Sequence, residues 1–162
     1  MAAPRLSVVM PNRNHQVYIR EALDAILGQS VPAGEVIVID DASTDSSVKV
    51  VEEYARRAPS VVLLKNEKNL GVAASTMRGL ERATGEYVMF TASDDTVLPG
   101  YFEKALTLFA ANPRAGAAFA QCRVIDAKGA PRELYLTPAA VKTPRFVAPE
   151  EALPLTARLG AW

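Results

Sequence analysis

Short apolar runs alternate with amphipathic stretches along the chain as far as Ala111. Leu6–Met10, Val36–Ile39, Val61–Leu64 and Glu86–Phe90 are dominated by consecutive apolar residues, the pattern of strands buried on both faces of a parallel sheet. Between them the period changes. From about Gln16 to Gly28, Ile19, Leu23, Ile26 and Leu27 share one helical face while Arg20, Glu21 and Asp24 lie elsewhere. A second helix is predicted from Asp45 or Ser46 to Arg57, with Val48, Val51 and Tyr54 or Ala55 inward, and a third from Gly71 to Ala83. Pro99 suits the first position of a fourth helix that ends at Asn112-Pro113. Ala115–Ile125 reads as a longer strand that turns at Asp126-Ala-Lys-Gly129 into Arg132–Leu136. Strands alternating with helices at these spacings define an α/β class: a doubly wound, mostly parallel sheet flanked by helices.

After Thr137 the pattern dissolves. Pro138, Pro144, Pro149 and Pro154 punctuate a stretch with no core periodicity before Glu150, so residues 1–137 are expected to form the core and 138–162 a Pro-rich extension. The length of 162 residues and a hydrophobic content of 49% suit one globular domain. Eighteen basic and eighteen acidic residues cancel without forming a basic stripe, which argues against a nucleic-acid partner. No apolar run approaches the roughly 20 residues of a membrane helix, and Met1–Arg5 has no signal core. A cytoplasmic location is expected. The single cysteine, Cys122, excludes an internal disulfide framework and is read as a core residue, and the single histidine, His15, as a surface or capping residue.

Composition leaves the acidic corners to carry the chemistry. Asp40-Asp41 ends the second apolar run and Asp94-Asp95 follows the fourth, where open α/β sheets bind ligands. For Asp40-Asp41 the alternative is a polar turn in which the acids, with Ser43 and Thr44, cap the next helix. If both strands lie centrally, the four carboxylates converge on one crevice, and a hard divalent cation, Mg²⁺ or Mn²⁺, is the natural compensation. The chain has neither a G-x-G-x-x-G after its first strand nor a Walker loop. A bound diphosphate would therefore be neutralised by metal, as in nucleotide-sugar chemistry. An ionised carboxylate only accepts hydrogen bonds. Near a base, Asp41 favours the imino N–H of uracil, thymine or guanine over the bare ring nitrogen of cytosine or adenine.

These residues also resemble the family 2 glycosyltransferases, inverting enzymes of the GT-A fold. Ser7-Val-Val-Met-Pro-Asn-Arg-Asn14 is similar to the opening strand and P-x-Y-N loop, and Ala22–Ser30 to the helix ending S-x-L-x-Q-[ST]. Val38-Ile-Asp-Asp-Ala-Ser-Thr-Asp45 matches V-D-D-G-S-T-D, and Asn69-Leu-Gly71 with Arg78-Gly79 matches N-x-G…R-N-x-G. Gly85–Phe90 leads into the D-x-D region, Ala92-Ser-Asp-Asp95, where Ala92 replaces the first acid of the common D-x-D-D, and Pro99 follows.

The resemblance implies a site. Pro11, Arg13 and Asn14 would lie around the base or ribose, Arg13 standing where tyrosine is common, and Asp41 would bond the base. Gly71 and Arg78 would lie beneath the donor diphosphate, although Arg78 has Glu81 and Glu86 as other partners. Asp95 would take the metal, and Asp94 the ribose or a metal-bound water. The expected donor is a UDP-sugar and the expected acceptor a saccharide, lipid or protein hydroxyl; a homo-oligomer is left open. In the family the general base comes from beyond the hairpin that follows the D-x-D strand, so it is expected beyond Trp162. The chain is then the N-terminal donor-binding portion of an enzyme and inactive alone. The alternative is a non-catalytic nucleotide-sugar-binding or interaction module of the same fold. A phospho-receiver domain would want its acids after the first strand, where Pro11-Asn-Arg-Asn14 stands.

Overall fold

The computed structural model describes residues 5–135 apart from 121, 127 and 128. Its elements run β1 (Leu6–Asn12), α1 (Ile19–Leu27), β2 (Glu35–Asp40), α2 (Ser47–Arg57), β3 (Val61–Lys65), α3 (Val72–Arg82), β4 (Tyr87–Phe90), α4 (Tyr101–Ala111), β5 (Cys122–Ile125) and β6 (Pro131–Tyr135). The chain divides into two units, residues 1–106 and 107–162. The first holds a parallel sheet in the order β3-β2-β1-β4, with Val8 opposite Val36, Met10 opposite Val38 and Val9 opposite Phe90. In the second, β5 and β6 pair antiparallel, as the turn at Gly129 predicts. The expected extension from 138 to 162 lies outside the described residues.

The apolar runs become strands because both sides of the sheet are covered. On one face Val8, Met10, Val36 and Val38 pack with Ile19, Leu23 and Ile26 of α1 and with Val51 and Tyr54 of α2. On the other, Val9, Ile37 and Ile39 form a second cluster beneath α3, which comes unusually near the sheet at Gly79. A methyl group there would sit 2.5 Å from both Ile39 Cδ1 and Val9 Cγ1. The absent side chain is what lets the helix lie so close.

Several boundaries differ from the sequence expectation. β1 does not stop at Pro11 but runs to Asn12, with Pro11 opposite Ile39. The Val9 carbonyl accepts from Thr91 N and the Asn12 carbonyl from Asp41 N. Backbone groups alternate sides along a strand, so Pro11 faces the β4 side, where the ladder has already ended at Val9 and Phe90. Its missing N–H therefore costs no ladder bond. α4 starts at Tyr101 rather than Pro99, because Gly100 intervenes at φ 76° and breaks the helical path. Of the long strand expected over 115–125, only Cys122–Ile125 is strand among the described residues, and Cys122 is exposed rather than core.

Replacing Gly79 by alanine tests the close packing of α3. Intrinsic helix propensity favours Ala over Gly by about 1 kcal/mol. The clash predicts the opposite sign: a loss of about 1–3 kcal/mol in urea unfolding. Unchanged or raised stability would show that α3 can back away from the sheet at no cost.

Candidate functional site

The carboxyl ends of β1 and β2 lie side by side, Asn12 opposite Asp40. Side chains alternate faces along a strand, and the two adjacent acids accordingly point to opposite sides of the sheet. Asp40 is buried and serves the loops. Its Oδ1 accepts from Asn12 Nδ2 at 2.8 Å, and its Oδ2 from Ser43 N at 3.0 Å. Asn14, in the left-handed region at φ 56°, donates its N–H to Ser43 Oγ at 3.0 Å and accepts from Thr44 N at 2.8 Å. Asp45 accepts from Gln16 N and Ser47 N, while Gln16 Oε1 takes Ser46 N, each at 2.9 Å. The loop after β1 and the loop after β2 are thereby laced together. Ala42, at φ 55°, holds the strained position that is glycine in V-D-D-G-S-T-D.

Asp41 looks the other way. Its Oδ1 accepts from Asn66 Nδ2 and Leu70 N, and its Oδ2 from Gly71 N, all at 2.8 Å. Gly71, at φ 85°, is the residue before the first turn of α3, so the carboxylate is seated on the positive end of that helix. It does not cap α2, whose N-terminal flank is Ser46. Asp41 is 4% exposed. Burial opposes its charge, but the bonds from Leu70 N, Asn66 and Gly71 N outweigh it and hold the carboxyl below its usual range. Three of roughly four acceptor positions of a carboxylate are filled. The Ser75 side chain also favours the charged form.

Asn66 joins this corner to α3. Its Nδ2 also reaches Ser75 Oγ at 2.9 Å, and its Oδ1 accepts from Arg78 Nη1, which donates to the Lys65 carbonyl at 2.7 Å as well. Arg78 therefore pairs with neither Glu81 nor Glu86, its expected alternatives, but with the end of β3. Asp41, Gly71 and Arg78 are brought together; Arg13 is exposed on the loop beyond β1, and Pro11 is half-buried within that strand.

The second acidic corner stands on its own loop after β4. Asp94 and Asp95 are exposed, while Ser93 between Ala92 and Asp94 is fully buried. Partial desolvation and the neighbouring Asp94 charge push the Asp95 carboxyl above its usual range. Two residues fix this loop. His15, whose carbonyl accepts Tyr18 N and Ile19 N at the start of α1, also places its side-chain Nδ1 2.8 Å from Ser93 Oγ and 3.7 Å from Asp94 Oδ1. Gln29 donates from Nε2 to the carbonyls of Ala25 and Leu98, both at 3.0 Å, and accepts from Phe102 N at 3.4 Å. The glutamine of the S-x-L-x-Q-[ST] resemblance thus fastens the loop that bears the acids. The expected convergence of four carboxylates does not occur. Asp40 and Asp41 point to opposite sides of the sheet, and no group of three or more His, Cys, Asp or Glu that could hold a metal exists among the described residues.

Comparison with known proteins agrees with this geometry. Residues 7–152 match the model of glycosyl transferase family 2, and the chain belongs to that family. It is 38% identical over 104 residues to YibD, an uncharacterized glycosyltransferase of Escherichia coli, covering 64% of this chain and 30% of YibD. Among solved structures it resembles S. aureus TarS in complex with UDP-GlcNAc, with a TM-score of 0.62 and 26% identity over 75% of this chain and 40% of that one. It also resembles the Pyrobaculum calidifontis mannosyltransferase PcManGT in complex with GDP-Man and Mn²⁺, with a TM-score of 0.54 and 35% identity over 58% of this chain and 28% of that one. The GT-A fold expected from the sequence is the one observed. The chain spans less than half the length of each of these relatives.

Hydrogen-bonded acids predict an acid-sensitive fold. Glu35, Asp41 and Asp45 are all held below their usual range by hydrogen bonds. Their folded pKa values lie below the unfolded ones, so their contribution is complete at neutral pH and is lost as pH falls through the folded values. The melting temperature should hold from pH 7 down to about 5 and drop below about 4. Asp41→Asn should reduce that drop. A melting temperature unchanged to pH 2.5 would contradict the assignment.

Proposed function

We propose that this chain forms the donor-binding part of an inverting glycosyltransferase that moves a sugar from a nucleotide-diphosphate donor, with UDP favoured, to an acceptor hydroxyl. The observation that supports it most is the Asp41 carboxylate, kept ionised on the α3 N-terminus at the carboxyl edge of the sheet. An ionised acceptor suits an imino N–H. The nucleotides named in the two solved relatives, UDP-GlcNAc and GDP-Man, both carry one. In this reading Pro11, Arg13 and Asn14 flank the base and ribose, and Gly71 and Arg78 lie toward the diphosphate. Asn14 is held in place by Ser43 and Thr44, so its backbone can serve as a wall.

Asp95, with Asp94 beside it, would hold a divalent cation, Mg²⁺ or Mn²⁺. The fit rests on chemistry on this loop: two exposed like charges, one of them with its carboxyl pushed up, are relieved by a cation. Two carboxylates make a partial shell that donor phosphates can complete. When bound, the cation neutralises charge on the departing diphosphate. The protein's own part is to keep the acids still, through His15 on Ser93 and Gln29 on Leu98. Deprotonation of the acceptor hydroxyl needs a general base, and more than half the length of the curated relatives lies outside the part this chain matches. Among the described residues no helix is long and apolar enough to cross a membrane; a cytoplasmic site of action is our reading from the composition.

Calorimetric titration with UDP, in Mn²⁺ and then with chelator, tests the donor reading. Mn²⁺ should tighten UDP binding about tenfold or more, worth 1.4 kcal/mol or above. Asp95→Asn should remove that gain and leave metal-free binding as it was. Equal affinity with Mn²⁺ and with chelator would refute the role of Asp95.

A further inference from the structure

We infer that Asn66 is a positioning residue that sets which nucleobase Asp41 accepts, by fixing the carboxylate's orientation and coupling it to Arg78. The inference rests on the donor reading above and extends it from the nucleotide class to the residue that enforces the class.

Asn66 is 7% exposed and stands just past β3, where its backbone N–H donates to the Asp40 carbonyl at 2.8 Å and continues the ladder to β2. Its backbone is thus placed by the sheet. Its amide is placed by what surrounds it. Nδ2 donates to Asp41 Oδ1 at 2.8 Å and to Ser75 Oγ at 2.9 Å, while Oδ1 accepts from the Arg78 guanidinium. A flipped amide would set a carbonyl against a carboxylate and an NH₂ against a guanidinium. Both contacts are repulsive, so only one orientation fits.

The consequence lies in charge. Arg78 and Asp41 are joined through a neutral group rather than by an ion pair. A guanidinium placed directly on Asp41 would pair with its charge and neutralise it. The interposed amide donates a single bond to Oδ1 and leaves the carboxylate its full charge, with Gly71 N donating to Oδ2. A ring nitrogen that bears a proton can be accepted by such a carboxylate. A bare ring nitrogen meets lone pair against lone pair and is rejected. A site of buried polar groups built for one hydrogen-bonding pattern rejects the wrong one strongly, by roughly 10⁴-fold in favourable cases.

The ratio of UDP to CDP affinity isolates this role. The two ligands share their ribose and diphosphate, so contacts to those parts, including any made by Arg78, cancel in the ratio. Isothermal titration of the whole chain should show UDP bound at least about a hundredfold tighter than CDP. In Asn66→Ala the ratio should fall about tenfold, because the carboxylate loses the bond that orients Oδ1 and gains access to a released Arg78. Arg78→Met, an exposed change on α3 that leaves the packed face alone, provides the second variant. It should lower both affinities together and, by unlocking the Asn66 amide, lower the ratio about fivefold. Folded variants that keep the wild-type ratio would overturn the role of Asn66 alone. A wild-type chain that binds neither nucleotide would overturn the donor reading and this inference with it.

Discussion

The Asp41 carboxylate accepts the amide hydrogens of Leu70 and Gly71 at 2.8 Å, and this joins the end of β2 to the start of a helix 30 residues further along the chain. The contact resolves two problems at once. A buried carboxylate is costly unless hydrogen bonds replace its water, and the first amides of a helix have no partner within the helix. Each group satisfies the other. The result is a fixed negative charge at the carboxyl edge of a parallel sheet, held ionised by its surroundings.

The neighbouring acid shows why one charge at the edge is enough. Asp40 turns to the opposite face and binds Asn12 and Ser43, so the two acids of the first corner serve opposite sides of the sheet. The Asp40 side holds the loops after β1 and β2 against each other. The Asp41 side is connected through Asn66 to Arg78, and α3 comes close enough to complete it because Gly79 has no side chain to obstruct Ile39 and Val9. The second acidic corner is built on a different principle. Its acids are exposed and mutually repelling, and the loop below them is fastened by side chains from the turns before and after α1.

Much of this was legible in the chain. Consecutive apolar residues marked the strands because a sheet covered on both faces leaves no polar alternation, and the i, i+3, i+4 pattern of Ile19, Leu23 and Ile26 marked α1. Pro11 read as a stop because a proline normally breaks a ladder; that the β4 ladder ends first is a fact of tertiary pairing. Gly100 displaced the start of α4 through a backbone conformation that Pro99 conceals. Small residues over 115–120 carry little periodicity, and the strand expected there is not formed. The acids were found, but the number facing one crevice was overestimated, since a strand's alternation separates Asp40 from Asp41. Asn66, Gln29 and His15 were hidden for a common reason. Each has a partner far along the chain, Asp41 25, Leu98 69 and Ser93 78 residues away, and nothing in the local sequence distinguishes a polar loop residue from a buried hub.

The account depends on Asp41 meeting the base while seated on those two amides. The most direct measurement is an amide NMR titration of the ¹⁵N-labelled chain with UDP and, in parallel, with CDP. The account predicts that the Leu70 and Gly71 amide signals shift saturably with UDP, at the dissociation constant found by calorimetry, and stay in place at the same concentrations of CDP. UDP binding that saturates while both amides remain unmoved would contradict it.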